Sequence, residues 1–85
     1  MAEPRSAQPR LALLTRVGCH LCDVAKEAMA RVAAASGEAW REIDVASDPE
    51  LEAEYSDRLP VVLLDGEEHG YWRVEEARLL RDLAR

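Results

Sequence analysis

Apolar residues along this chain fall into short runs and helical repeats that alternate. Leu11-Ala12-Leu13-Leu14 is a continuous apolar run, typical of a strand buried on both faces. From Cys19 to about Ala35, apolar residues recur every three or four positions, which predicts an amphipathic helix capped by Gly37. The repeat consists of Leu21, Ala25, Ala28, Met29 and Val32. A buried strand followed by a helix is therefore the first predicted unit.

The middle of the chain predicts a strand and a short helix. Trp40 to Val45 is the strand, with alternate residues, among them Ile43 and Val45, on one face. Asp48 precedes a proline, and proline suits the first position of a helix, so Asp48 is the expected N-cap. Leu51 and Tyr55 lie on one face of that helix.

The remaining elements are a hairpin and a last helix. Val61 to Leu64 is a third strand, and the Asp65-Gly66 turn leads into a fourth strand from Glu67 to Trp72. Val74 to Ala84 is predicted to be a helix. Its expected buried residues are Val74, Ala77, Leu80 and Ala84.

The element order is thus β-α-β-α-β-β-α, an α/β fold with a four-stranded mixed sheet flanked by three helices. The first two strands should be parallel, because a helix connects them, and the last two antiparallel, because their connection is tight. We expect one domain over residues 11–85, since 85 residues make a single small domain. Residues 1–10, with two prolines and no periodicity, are expected to be a disordered tail.

The candidate chemistry lies at the first strand-to-helix turn, Thr15-Arg16-Val17-Gly18-Cys19-His20-Leu21-Cys22. The chain has only two cysteines, and two residues separate them. A thiol at a helix N-terminus meets the positive end of the helix dipole, which favours the reactive thiolate. A second thiol one turn along can close a small disulfide ring. We therefore expect Cys19 to attack a target disulfide and Cys22 to resolve the mixed disulfide.

Other interpretations of the cysteine pair remain open. The two thiols could be buried small hydrophobic residues. A metal or iron–sulfur site needs about four ligands, and only His20 and His69 could join the thiols, so such a site would require a dimer that pools two pairs. The pair could also make a redox-responsive protein that binds a partner without turnover.

Composition limits the partners. A formal net charge of −6 argues against a nucleic-acid-binding protein, which needs a basic face for phosphates. No segment is long and apolar enough to cross a membrane, and Met1 to Arg10 lacks the apolar core of a signal peptide, so we expect a cytoplasmic protein. We also expect a monomer. In a reducing compartment, paired cysteines two residues apart are typically catalytic or metal-binding.

A cysteine pair opening the first helix, with Pro60 just before the third strand, resembles the thioredoxin fold and, in its minimal form, glutaredoxin. Gly-Cys-His-Leu-Cys is also similar to a group of small glutaredoxin-like bacterial proteins. The resemblance implies that Cys19 is the nucleophile, Cys22 the resolving thiol and Pro60 a cis-proline facing them. It also implies that Leu59 offers its backbone to an extended thiol peptide, and that Arg16 is a basic residue near the site.

The sequence departs from the glutaredoxin pattern after the fourth strand. Glutaredoxins usually carry a Gly-Gly pair there, followed by Ser/Thr and Asp, which holds part of glutathione. This chain has Tyr71-Trp72-Arg73-Val74-Glu75 instead. We therefore expect no bound cofactor. Glutathione or another small thiol is the possible electron donor, and a disulfide-containing protein or a small thiol compound is the expected substrate.

Several single residues carry weaker expectations. Arg58 and Arg73 are candidates to hold a carboxylate of a thiol cofactor, although surface arginines usually have no specific role. His20, as a cation, would favour the Cys19 thiolate, or is simply a solvated loop histidine. Trp72 is expected to pack under the last helix, and His69 to lie on the strand surface.

Overall fold

The computed structural model describes residues 9–85, and it contains four strands and three helices in the predicted order. The strands are β1 (Leu11–Thr15), β2 (Trp40–Asp44), β3 (Val61–Leu64) and β4 (Glu67–Tyr71). The helices are α1 (His20–Ser36), α2 (Pro49–Tyr55) and α3 (Glu76–Leu83). Short 3₁₀ turns, Val45–Ser47 and Ser56–Arg58, flank α2.

The four strands form one mixed sheet in the order β2-β1-β3-β4. β1 and β2 are parallel, whereas β3 is antiparallel to both β1 and β4. These directions confirm the predicted sheet, because a helical crossover returns a strand in parallel and a tight turn reverses it. As a consequence, the carboxyl ends of β1 and β4 lie at the same end of the sheet as the start of β3.

The central strand β1 divides the core. All five of its residues are buried, as its continuous apolar run predicts. Leu11 and Leu13 pack in one cluster with Met29 of α1 and with the buried leucines of α3. Leu14 packs on the opposite face, in a second cluster that includes Cys22. The cysteine pair is therefore built into the smaller of two cores.

Helix α1 has the predicted length, but its first buried residue differs from the expectation. Gly37 ends the helix in the left-handed conformation, with φ 79°, and its N–H donates to the carbonyl of Ala33. Leu21, expected in the buried face, is 51% exposed, and Cys22 is buried in its place. The helix thus presents Leu21 to solvent beside the cysteines.

The prediction for the last helix was wrong in its start and in two of its four buried residues, since Val74 and Leu80 do pack, partly buried, against the core. The helix starts at Glu76, and its buried residues are Leu79 and Leu83. Ala77 and Ala84, expected inside, are exposed. The larger leucine side chains, four residues apart, bury more apolar surface than two alanines, so they set the orientation of the helix.

Two element boundaries also differ from the sequence pattern, and one is as predicted. β2 ends at Asp44, and the buried Val45 belongs to a 3₁₀ turn. β4 ends at Tyr71, before Trp72. Asp48 caps α2 as predicted, because its Oδ1 accepts a hydrogen bond from the N–H of Glu50 at 2.9 Å.

The predicted tail, residues 1–10, lies outside the described residues except for its last two positions. Arg10 is tied to the domain, because its Nε donates to Asp65 Oδ1 at 2.9 Å and its carbonyl accepts from the N–H of Asp65. None of the helices in residues 9–85 combines the length and the apolar character that crossing a membrane requires.

His69 joins β4 to α3, contrary to the expectation of a surface residue. Its side chain is only 8% exposed, and its Nε2 lies 2.8 Å from Asp82 Oδ2. This hydrogen bond is the largest of the causes that hold the pKa of Asp82 below its usual range. Lowered carboxyl pKa values also occur at Asp65, Glu75 and Glu76, each bonded to an arginine.

We expect these carboxylates to make the domain less stable in acid. A carboxyl pKa that is lower in the folded than in the unfolded state adds stability above the unfolded value, about 4, which is lost as the pH falls. Urea unfolding at pH 6 and pH 3 should show the decline, and Asp82→Asn should reduce the difference. Glu67→Gln, which removes an exposed carboxyl group of β4, should leave it unchanged; an equal reduction in both variants would contradict the assignment to Asp82.

Candidate functional site

The turn between β1 and α1 places the two cysteines at the start of the helix. Gly18 has φ 81°, a left-handed conformation that glycine adopts without steric cost. The N–H of Cys19 donates to the carbonyl of Arg16 at 3.2 Å. Cys19 is the N-cap of α1, and its Sγ accepts a hydrogen bond from the N–H of Cys22 at 3.1 Å. The Sγ atom thus lies beside the free N–H groups of the first helical turn, which would stabilise a negative charge on it.

Cys19 and Cys22 are joined by a disulfide, with their Cα atoms 5.2 Å apart. Their surroundings differ strongly. Cys19 is half-buried, whereas Cys22 is 1% exposed and packs with Leu14 and Val61. After reduction, a partner molecule can reach Cys19, but Cys22 can be reached only from Cys19.

The segment before β3 lies beside the disulfide. Leu14 pairs with Val61, so Pro60 lies next to the end of β1, from which the cysteine turn begins. The Leu59–Pro60 peptide bond is cis, and both residues are buried. Leu59 belongs to the same cluster against which Cys19 packs. The fold therefore brings together Cys19, Cys22, Leu59 and Pro60.

Trp72 lies at this end of the sheet too, and the expectation that it packs under the last helix was wrong. Its side chain is 56% exposed. Its N–H donates to the carbonyl of Pro60 at 2.7 Å, and its φ is 70°. Its ring packs edge-to-face on Tyr71, with centroids 5.0 Å apart. A left-handed backbone and an exposed indole therefore occur together at this residue.

The predicted basic residues differ in their availability. Arg16 and His20 are exposed on either side of the turn that carries Cys19. The Arg73 side chain is 81% exposed, with its Nη2 3.9 Å from Glu75 Oε2. Arg58, by contrast, is held by carboxylates and lies 5.0 Å from the centre of the Tyr55 ring. It is therefore not available for a cofactor carboxylate, and Arg73 is.

Sequence reasoning missed two features of this region. The exposed position of Trp72 depends on its left-handed backbone, for which a tryptophan gives no sequence signal. The burial of His69 depends on where α3 crosses β4.

Over residues 9–85, no three His, Cys, Asp or Glu side chains come together as metal ligands do.

Known proteins share both the sequence and the fold. The family described as Glrx-like, Glutaredoxin-like domain (DUF836), matches residues 10–84. An uncharacterised protein of Mycobacterium tuberculosis is 46% identical over 84 residues, covering 93% of this chain and 87% of that protein. A structural-genomics target protein from X. campestris is 36% identical, with a TM-score of 0.69 over 87% of this chain and 95% of that chain. A mutant thioredoxin from Halobacterium salinarum is 27% identical, with a TM-score of 0.57 over 86% of this chain and 68% of the thioredoxin.

Proposed function

We propose that this chain, which belongs to the glutaredoxin-like domain family (DUF836), is a thiol–disulfide oxidoreductase that uses the Cys19–Cys22 pair. The family match confirms the resemblance inferred from the cysteine motif. The proposal depends mainly on one observation: an accessible N-cap cysteine is disulfide-bonded to a buried cysteine one turn along the same helix.

The reduced pair can act in two steps. The Cys19 thiolate attacks one sulfur of a target disulfide, whose S–S bond breaks, and the departing thiolate takes a proton from solvent. Cys22, as thiolate, then attacks Cys19 Sγ, which re-forms the internal disulfide and releases the second target thiol. The target gains two electrons and the protein loses two. Because Cys22 is 1% exposed, Cys19 must make the first attack.

The turn supports the thiolate of Cys19 by two physical effects. The N–H of Cys22 already points at Cys19 Sγ, at 3.1 Å, and would stabilise a negative charge there. The 17-residue helix adds its dipole, and exposed Arg16 and His20 flank the position. Asp23 in the first turn opposes this effect, but Lys26 Nζ lies 3.7 Å from its carboxylate and partly offsets it.

We expect the pKa of reduced Cys19 to lie below that of a free thiol, about 8.5. Alkylation rates of the reduced Cys22→Ser protein, measured against pH, would give the midpoint. Arg16→Ala should move it upward, whereas Arg41→Ala, which removes an exposed arginine from β2, should not. A Cys19 midpoint at or above the free-thiol value would rule out an activated nucleophile.

The remaining parts of the proposal concern partners. We propose that the protein works as a cytoplasmic monomer without a bound cofactor, on a disulfide-bearing protein or a small thiol compound. A net charge of −6 disfavours nucleic acid as a partner. Electrons would come from a thiol donor, and glutathione is disfavoured because Trp72 and Arg73 stand where the glutaredoxin pattern has its Gly-Gly pair.

A further inference from the structure

The backbone of Trp72 holds its indole at the surface. A non-glycine residue with φ near 70° is uncommon, because the left-handed region brings its Cβ close to the following carbonyl oxygen. The hydrogen bond from its N–H to the Pro60 carbonyl fixes this conformation. Packing on Tyr71 restricts the ring further. An exposed aromatic group that is held in this way is preorganised for contact.

Four exposed apolar side chains lie at the end of the sheet that carries the disulfide. Val17 is 87% exposed and Leu21 51%, and both are within two residues of Cys19. Tyr71 and Trp72 are 48% and 56% exposed. They lie at this end of the sheet because Tyr71, at the end of β4, pairs with Val61, at the start of β3. We call these four residues the apolar rim. Together they offer apolar surface of a kind that commonly marks an interaction site.

Two exposed arginines lie beside this apolar rim although the whole chain is acidic, and the carboxylates that follow the rim residues in sequence are already paired, Asp23 with Lys26 and Glu75 with Arg78. β1 and β4 run in the same direction, so Arg16 and Arg73, which follow them, lie at the same end of the sheet. Arg73 is 81% exposed, and its nearest carboxylate, on Glu75, is at 3.9 Å. In a protein of net charge −6, these two arginines favour an acidic partner over a basic one.

We propose that Trp72 determines substrate specificity, and that the apolar rim binds an acidic polypeptide segment with an apolar side chain beside its reactive cysteine. This inference rests on the proposed exchange activity and names its substrate class. The apolar side chain of the segment packs on Trp72 and Tyr71, and its carboxylate meets Arg73. A small thiol compound lacks the apolar group and gains less from the same surface.

Chromogenic peptide disulfides test this preference. Each peptide carries one cysteine bonded to thionitrobenzoate, so attack by Cys19 breaks that bond, forms the Cys19–peptide disulfide and releases the coloured thiolate. The peptides differ only beside the cysteine: leucine with glutamate, glycine with glutamate, or leucine with lysine. The first-phase rate constant of the reduced full chain is measured for each. We expect the leucine–glutamate peptide to react about tenfold faster than the glycine peptide.

Substitutions assign the preference to residues. Trp72→Gly removes the indole and accepts the positive φ, and it should bring the leucine advantage below about threefold. If the glycine variant proves unfolded, Trp72→Asn replaces it in the experiment. Asparagine also tolerates a positive φ, so this variant should lower the leucine advantage in the same way. Arg73→Glu should reverse the preference for glutamate over lysine. Arg41→Glu makes the same charge change on β2, the opposite edge of the sheet, and should leave both preferences unchanged.

The possible results separate this inference from the proposed function. Equal rates for the leucine and glycine peptides, or a leucine advantage that survives Trp72→Gly, would overturn the inference. Reaction with dithiobis(nitrobenzoate), a small disulfide, checks the exchange chemistry independently of the peptides. If that reagent reacts but the peptides do not differ, only the specificity is wrong; if neither reacts, the proposed function fails and the inference fails with it.

Discussion

The Cys22→Ser protein is expected to accumulate mixed disulfides through Cys19, whereas Cys19→Ser should form almost none. The physical reason is access: Cys19 is half-buried at the tip of α1, and Cys22 is 1% exposed behind it. Without the Cys22 thiol, the first covalent intermediate has no internal thiol to release it. Non-reducing gels and intact mass of each purified variant, after incubation with an oxidised model peptide, would show the adduct.

A double variant, with both cysteines replaced by serine, provides the background for this experiment. We expect at least about a hundredfold difference in adduct yield between the two single variants, because the buried thiol must wait for local opening of the helix. Equal trapping by Cys19→Ser and Cys22→Ser would mean that the two roles are wrongly assigned.

Glutathione is expected to bind weakly and to be a poor reductant of the Cys19–Cys22 disulfide. The segment after β4 carries Trp72 and Arg73 in place of small residues, so the backbone cannot lie close to a tripeptide. The backbone N–H of Trp72 donates a hydrogen bond to the Pro60 carbonyl, which helps to hold the residue there. Chemical-shift perturbation would measure binding, and a coupled reduction assay would measure turnover.

The Trp72→Gly variant sharpens this second prediction. If the indole is the obstacle, opening the site should raise the rate of reduction by glutathione, by about tenfold. The rate with dithiothreitol, which needs no such site, should stay within about twofold in both proteins. Saturable shifts around Leu59, Pro60 and Arg73 at low-millimolar glutathione, together with efficient turnover in the unchanged protein, would contradict the prediction.

The sequence predicts the sheet well because its signals are local. A continuous apolar run marks β1, Gly37 marks the end of α1, and Asp65-Gly66 marks the hairpin. Each feature depends on a few neighbouring residues. The parallel and antiparallel directions then follow from the length of the connections, which the sequence also contains.

The residues whose burial was wrongly predicted owe that burial to contacts between elements that are distant in sequence. Several apolar repeats fit the last helix, and the choice of Leu79 and Leu83 over Ala77 and Ala84 is made by packing on α1 and β1. His69 is buried only because α3 brings Asp82 to it. Such choices have no local signal.

The candidate site also contains some features that the sequence predicts and others that only the structure shows. The cysteine pair and its helix are visible in the motif, as is the proline before β3. The exposure of Trp72 and Leu21 is not, because it follows from how the chain turns after β4 and from the orientation of α1. Likewise, Arg58 and Arg73 look alike in sequence, yet only Arg58 is enclosed by carboxylates.

A redox titration of the Cys19–Cys22 pair tests the central claim most directly. The full chain is equilibrated at a series of ratios of reduced to oxidised dithiothreitol, and its free thiols are trapped by alkylation and counted by mass. We predict a reversible transition in which both thiols disappear together, as a two-electron couple requires. A pair that stays reduced at every ratio, or thiols that oxidise only between separate molecules, would contradict the account.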